Sequence, residues 1–138
     1  MQPASEEEDV RIEYMFKKLS SYINYESLGV ENVRMQESTP DEYAGKNVLI
    51  VEDIYDTGAS MEKMISTIKT YDPATVKTAI LLHKRNVKNL AYNYTGDYVG
   101  FWCPNVFVLG FGMDFNEYLR DLRHICISSC ELLKKYEK

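Results

Sequence analysis

Cysteine and histidine are scarce in this 138-residue chain, which has three of the first (Cys103, Cys126 and Cys130) and two of the second. An odd number of cysteines without paired metal spacing offers neither a disulfide framework nor a convincing zinc site, and suits a reducing cytosol. No apolar run approaches membrane-spanning length, and the opening Met1-Gln-Pro-Ala-Ser-Glu-Glu-Glu-Asp is acidic where a secretion signal would be basic. A soluble, cytoplasmic protein is therefore expected. Basic charge is also in short supply. With 16 Lys+Arg against 21 Asp+Glu the net charge is −5, and no basic stripe exists that a nucleic acid would require. Internal repeats and low-complexity tracts are absent as well. What remains is 45% apolar, enough for one domain with a sizeable core. Residues 1–9 are expected to be a disordered acidic start, and residues 10–138 the domain.

The chemistry concentrates between Val48 and Ser60, which read Val-Leu-Ile-Val-Glu-Asp-Ile-Tyr-Asp-Thr-Gly-Ala-Ser. Four apolar residues make a short buried strand, and Glu52 and Asp53 stand at its end. A small-residue turn follows, then Met61, Met64, Ile65 and Ile68 at helical spacing. In parallel α/β sheets, ligands bind beyond the carboxyl ends of strands, where free N–H groups of a helix start meet phosphate. Two carboxylates would repel a phosphate unless a cation or sugar hydroxyls lay between them. The loop therefore reads as a receptor for a phosphorylated sugar, with Mg²⁺ supplying the spacing charge. The competing reading is a strand–turn–helix whose acids merely cap the helix.

Elsewhere the pattern alternates strand and helix. A strand is expected from Val10 to about Leu19, a loop over Ser20–Gly29, a strand over Val30–Met35, and a brief helix from Thr39 that Gly45 ends. The helix after the central loop should run from Ala59 to Tyr71, where Asp72-Pro73 stops it. Val76–His83 is a continuous apolar strand with Lys84 and Arg85 at its carboxyl end. Tyr92–Gly96 is turn-like and Tyr98–Trp102 is a short apolar run. Phe107–Met113 has the composition of a strand covered on both faces. His124–Ser128 reads as the last strand and Glu131–Lys138 as a short polar helix. The order predicts an α/β fold with a parallel, doubly wound sheet.

From about Leu19 onward the chain resembles the C-terminal half to two-thirds of the hypoxanthine-guanine phosphoribosyltransferases. The resemblance rests on Val48-Leu-Ile-Val-Glu-Asp-Ile-Tyr-Asp-Thr-Gly, Val99-Gly-Phe and Asp114-Phe-Asn-Glu-Tyr-Leu-Arg-Asp-Leu. It implies a type I phosphoribosyltransferase core and purine salvage: transfer of the 5-phosphoribosyl group of phosphoribosyl pyrophosphate (PRPP) to hypoxanthine or guanine. The products would be IMP or GMP and pyrophosphate. By the same resemblance Glu52 and Asp53 would hold the ribose hydroxyls, and Ile54 and Tyr55 would continue the substrate-binding stretch. Asp56, Thr57, Gly58, Ala59 and Ser60 would wrap the 5′-phosphate, with Asp56 as general base toward purine N7. Lys84 would donate to the 6-oxo group. Phe107 would stack on the purine, with Val106 and the Val108 backbone beside it. Glu52, Asp53 and Asp114 would serve Mg²⁺, Arg120 the departing pyrophosphate, and Ser21-Tyr22 a mobile lid. A complete chain of this kind is implied to be a homo-oligomer. Each assignment has a plainer counterpart: Lys84 as a solvated strand end, Phe107 as a core aromatic, Asp114 as a helix cap, Ser21-Tyr22 as an ordinary polar loop.

The sequence departs from the family pattern in two places. Ala59 stands where relatives often have Lys, and no Leu-Lys-Gly-Gly type pyrophosphate loop occurs. The resemblance thus implies an N-terminally truncated domain whose sheet keeps an uncovered edge or face. A catalytically impaired relative acting as a nucleotide-binding or interaction module is the alternative reading.

Overall fold

The computed structural model of the chain describes residues 11–21, 33–86 and 94–135. At its centre β3 (Asn47–Tyr55), α1 (Ala59–Lys69) and β4 (Thr75–Lys84) form a strand–helix–strand unit, and β5 (Tyr98–Cys103) pairs with β4. All three strands are parallel, in the order β3-β4-β5. Parallel neighbours need a crossover, and α1 supplies it. Its Met61, Met64, Ile65 and Ile68 are buried at helical spacing, in one cluster with Ile50, Tyr55, Ile80 and Tyr43.

The period of two along β3 decides which face of the sheet is covered. Ile50 is buried, whereas its neighbours Leu49 and Val51 are 55% and 73% exposed. The helix α1 therefore covers one face, and the other stays open at Leu49 and Val51. A bare sheet face is what the sequence reading expects.

Several boundaries move. The strand expected from Val10 to Leu19 does not form: residues 11–18 carry no regular secondary structure, and β1 is only Leu19–Ser21, antiparallel to β2 (Val33–Met35). The alternating Ile12, Tyr14 and Phe16 are exposed, so no sheet rewards their pattern. Ion pairs tether the segment instead, Lys17 to Glu42 at 2.6 Å and Lys46 to Glu13 at 3.1 Å. The loop expected from Ser20 begins inside β1, and most of it, with residues 1–10 and Tyr22, lies outside the described residues. The brief helix after Thr39 is one 3₁₀ turn, Pro40–Glu42.

The stretch Phe107–Met113 is a strand only at β6 (Val108–Leu109), which pairs antiparallel with β7 (Cys126–Ile127). The last strand thus belongs to a separate ribbon and not to the parallel sheet. Gly110, Phe111 and Gly112 all have positive φ, at 85°, 54° and 96°, which turns the chain out of the extended form. A Cβ on Gly110 would lie 2.3 Å from the His124 carbonyl oxygen, so glycine is required at that crossing. The short helix α2 (Cys130–Lys135) follows β7. Among the described residues no helix is long and apolar enough to cross a membrane.

Candidate active site

Strand β3 continues through Tyr55, so Glu52, Asp53 and Ile54 are strand residues and Asp56 is the first residue beyond. Lys84 is the last residue of β4, and the parallel register sets Tyr55 beside His83. The next residues along, Asp56 and Lys84, meet. Lys84 Nζ donates to Asp56 Oδ2 at 3.0 Å, and Asn86 Nδ2 donates to Asp56 Oδ1 at 2.9 Å. The Lys84 side chain is 7% exposed and that of Asp56 46%. An ammonium buried so deeply requires a paired anion, and Asp56 provides it. The same Nζ lies 5.9 Å from the Phe107 ring centroid, at the outer reach of a cation–π contact.

The opposite wall comes from the turn after β6. Arg120 bonds the Asp114 carboxylate at 2.9 Å and donates through Nη1 to the Gly112 carbonyl at 2.9 Å. The Glu117 amide donates to the other Asp114 oxygen at 2.7 Å. Between the walls lies a cavity of about 230 Å³, lined by Asp53, Ile54, Asp56, Lys84, Phe107, Val108, Gly112, Met113, Asp114 and Arg120. Ligand pockets usually run to roughly 300–1,000 Å³, so this one has room for a heterocycle and not for a whole nucleotide. The rest of a nucleotide would have to lie along the neighbouring loop.

That loop is built as the sequence suggests. Gly58 has φ 91° at the N-cap of α1, a left-handed conformation that favours glycine. Its carbonyl accepts the Glu62 amide at 2.9 Å, which starts the helix just beyond Thr57 and turns the first amides toward the loop.

Of the sequence-predicted residues, Glu52, Tyr55, Thr57, Gly58, Ala59, Ser60 and Val106 do not line the cavity. Tyr55 is part of the main core, and Val106 packs behind the cavity with Leu82, Val108 and Met113. Ser21 lies in β1, paired with Val33. Gly112, Met113 and Asn86 are additions that the sequence reading missed. Asn86 carries no local signal, since only the path of the chain leaving β4 brings it to Asp56.

Glu52 is half-buried, whereas its neighbour Asp53 is exposed and lines the cavity. Burial, and secondarily the charge on Asp53, pushes the Glu52 carboxyl above its ordinary range. Among the described residues no three metal-ligating side chains converge, so Asp114 forms no cage with Glu52 and Asp53. Magnesium commonly takes one or two carboxylates and completes its shell with water and phosphate oxygens. A half-buried carboxylate beside a second one fits that mode.

A strand with adjacent acids near its end, a glycine turn into a helix, and a buried lysine paired with a half-exposed aspartate at the strand ends are joined here at one edge of one sheet. The phosphoribosyl transferase domain family matches residues 9–116. The chain belongs to the phosphoribosyltransferase family. Its relatives include the hypoxanthine-guanine phosphoribosyltransferase of Homo sapiens, 43% identical over 122 residues, covering 88% of this chain and 55% of that protein. The enzyme of Mus spretus is 46% identical over 114 residues, 83% of this chain and 52% of the relative. Among solved structures, a hypoxanthine phosphoribosyltransferase from Staphylococcus aureus superposes with a TM-score of 0.75 at 27% identity, over 89% of this chain and 64% of the other. The hypoxanthine phosphoribosyl transferase of Trypanosoma cruzi gives 0.74 at 35% identity, over 85% and 58%. The phosphoribosyltransferase domain described here thus has the parallel central sheet of that fold, and it spans about half the length of relatives such as the human protein.

Proposed function

We propose that this phosphoribosyltransferase domain binds a 6-oxopurine and a 5-phosphoribosyl group, and serves transfer of that group from PRPP to hypoxanthine or guanine, yielding IMP or GMP. The observation that carries the reading is the convergence of Asp56, Lys84 and Phe107 on one cavity of heterocycle size. The Phe107 ring supplies a stacking face, and Phe115 braces it edge-on at 5.5 Å between centroids. Lys84 is a donor-only group aimed at that space, so it suits a 6-oxo acceptor and opposes a 6-amino group. Asp56, an acceptor beside it, takes or shares the N7 proton as the bond to C1′ forms.

The ribose hydroxyls would meet Glu52 and Asp53, and the 5′-phosphate would lie in the Asp56–Ser60 turn against the first amides of α1. Arg120, which lines the same cavity, would neutralise pyrophosphate. Mg²⁺, when bound, offsets charge on the pyrophosphate, with Glu52, Asp53 and Asp114 as the residues that would serve it.

The test is calorimetry of the purified chain with IMP and GMP, beside an assay of Mg²⁺-dependent IMP formation from PRPP and hypoxanthine. Binding of both nucleotides and Mg²⁺-dependent formation of IMP are expected. Absence of both binding and turnover would overturn the reading.

A further inference from the structure

Beneath the cavity, three rings lie side by side across the ends of the parallel strands. Tyr55, His83 and Trp102 are register partners on β3, β4 and β5. The Tyr55 and His83 rings stack at 4.4 Å between centroids, inclined 29°, and His83 and Trp102 lie at 4.1 Å, inclined 33°. Both separations lie at the short end of the roughly 4.5–7 Å usual for ring pairs, so the three rings are in direct contact.

His83 is the middle ring and is 3% exposed. Its Nδ1 lies 3.1 Å from the Lys84 carbonyl oxygen. A carbonyl can only accept, so Nδ1 carries a proton and donates to it. The other nitrogen, Nε2, is buried with no hydrogen-bond partner among the described residues. The ring meets its surroundings through its two flat faces and the Nδ1 bond. Tyr55 immediately precedes Asp56 in the chain, and His83 immediately precedes Lys84. The ring row is therefore the last row of the sheet before the Asp56–Lys84 pair.

We infer that His83 is a positioning residue: the Tyr55–His83–Trp102 stack draws the strand ends together and thereby sets the Asp56–Lys84 spacing on which purine recognition depends. The inference rests on the proposed purine site, but its effect on the ion pair can be read without any ligand. The proposed ribose residues Glu52 and Asp53 and the turn residues Thr57–Ser60 lie outside the ring row, so a change at the Asp56–Lys84 pair weighs on the purine more than on the sugar phosphate.

The experiment compares the native chain with His83→Ala and His83→Phe, the second keeping a ring in the stack. Calorimetry with IMP and with ribose 5-phosphate separates purine from sugar-phosphate recognition. For His83→Ala, IMP affinity is expected to fall about tenfold, the size of one or two aromatic contacts, while ribose 5-phosphate affinity stays within about twofold. His83→Phe should retain IMP affinity within about threefold. In the ligand-free protein, the Lys84 ammonium resonance, slowed in exchange by its ion pair, should be visible by nitrogen-detected or proton–nitrogen NMR in the native and Phe proteins and lost in the Ala protein.

Equal loss of IMP and ribose 5-phosphate affinity in His83→Ala, or an unchanged Lys84 resonance, would overturn the inference. If the native chain binds neither ligand, the purine-site reading fails, and the resonance still decides whether the stack sets the ion pair. Should His83→Ala not fold, Trp102→Ala at the half-exposed outer leaf makes the same comparison, with about a threefold loss expected for IMP alone. Equal losses, or an unchanged resonance, overturn the inference there too.

Discussion

Lys84 Nζ lies 3.0 Å from Asp56 Oδ2, with the lysine side chain almost wholly buried and the aspartate half exposed. The pair joins the ends of two parallel strands, and the exposed carboxylate is the part a ligand can reach. A purine entering the cavity would compete for both partners, the ammonium through its 6-oxo group and the carboxylate through N7.

Asp56→Asn is accordingly expected to slow phosphoribosyl transfer roughly 10²–10⁴-fold, because an amide cannot take the proton. IMP affinity should change far less. The substitution also leaves Lys84 with a weaker partner, but Asp56 is half exposed, so the stability cost stays below the roughly 3–5 kcal/mol of a fully buried pair. Steady-state kinetics and calorimetry separate the effects. Affinity loss with unchanged turnover would refute the role.

Lys84→Gln should relax the preference for 6-oxopurines, since glutamine can present either a donor or an acceptor. Discrimination that depends on leaving a buried polar group unpaired can be large. Competition between hypoxanthine and adenine reads it directly. Unaltered selectivity would remove Lys84 from base recognition.

Asn86→Ala removes the 2.9 Å bond to Asp56 Oδ1 and leaves the Lys84 contact in place. A hydrogen bond to a charged group contributes about 1.5–3 kcal/mol, less here because the aspartate is half exposed, so IMP affinity should fall by about three- to tenfold. Affinity equal to the native chain would show that Asn86 does not hold the carboxylate.

Glu52→Gln should raise the melting temperature at pH 7. Burial, then Asp53, lifts the Glu52 carboxyl above its ordinary 4.5, so the folded state holds this proton more tightly than the unfolded state does. The sign follows: stability from this group falls as pH rises past 4.5 and through the raised folded value. The stabilising effect of glutamine should therefore vanish on acidification below that range, while nucleotide affinity weakens at all pH values. A melting temperature that drops at pH 7 would contradict the assignment.

Val51→Glu should reduce self-association. Leu49 and Val51 on the uncovered sheet face are 55% and 73% exposed, and Phe101 on β5 is 65% exposed. Apolar surface of this kind seeks a partner. Light scattering should show a lower mean mass for the variant at equal concentration. An unchanged mass would mean the face does not drive association.

The sequence alone determined the Val48–Ser60 unit, because a strand, a glycine turn and a helix are written in neighbouring residues and in their periodicity. It also placed Lys84 at a strand end and Asp114 and Arg120 in one short run. It could not determine that Asp56 is gripped by Lys84 and Asn86, since those partners are 28 and 30 residues away and meet only through the parallel register. The alternation of Ile12, Tyr14 and Phe16 looked like a strand, but a strand exists only where a neighbour offers its amides and carbonyls, and among the described residues none pairs with them. Phe107–Met113 looked continuous because composition does not reveal backbone sign. The positive φ values from Gly110 to Gly112 turn the chain out of the strand, and at Gly110 the close crossing of His124, distant in the chain, leaves no room for a side chain. Local pattern fixed which residues could do chemistry, and the packing of strand ends decided which of them touch.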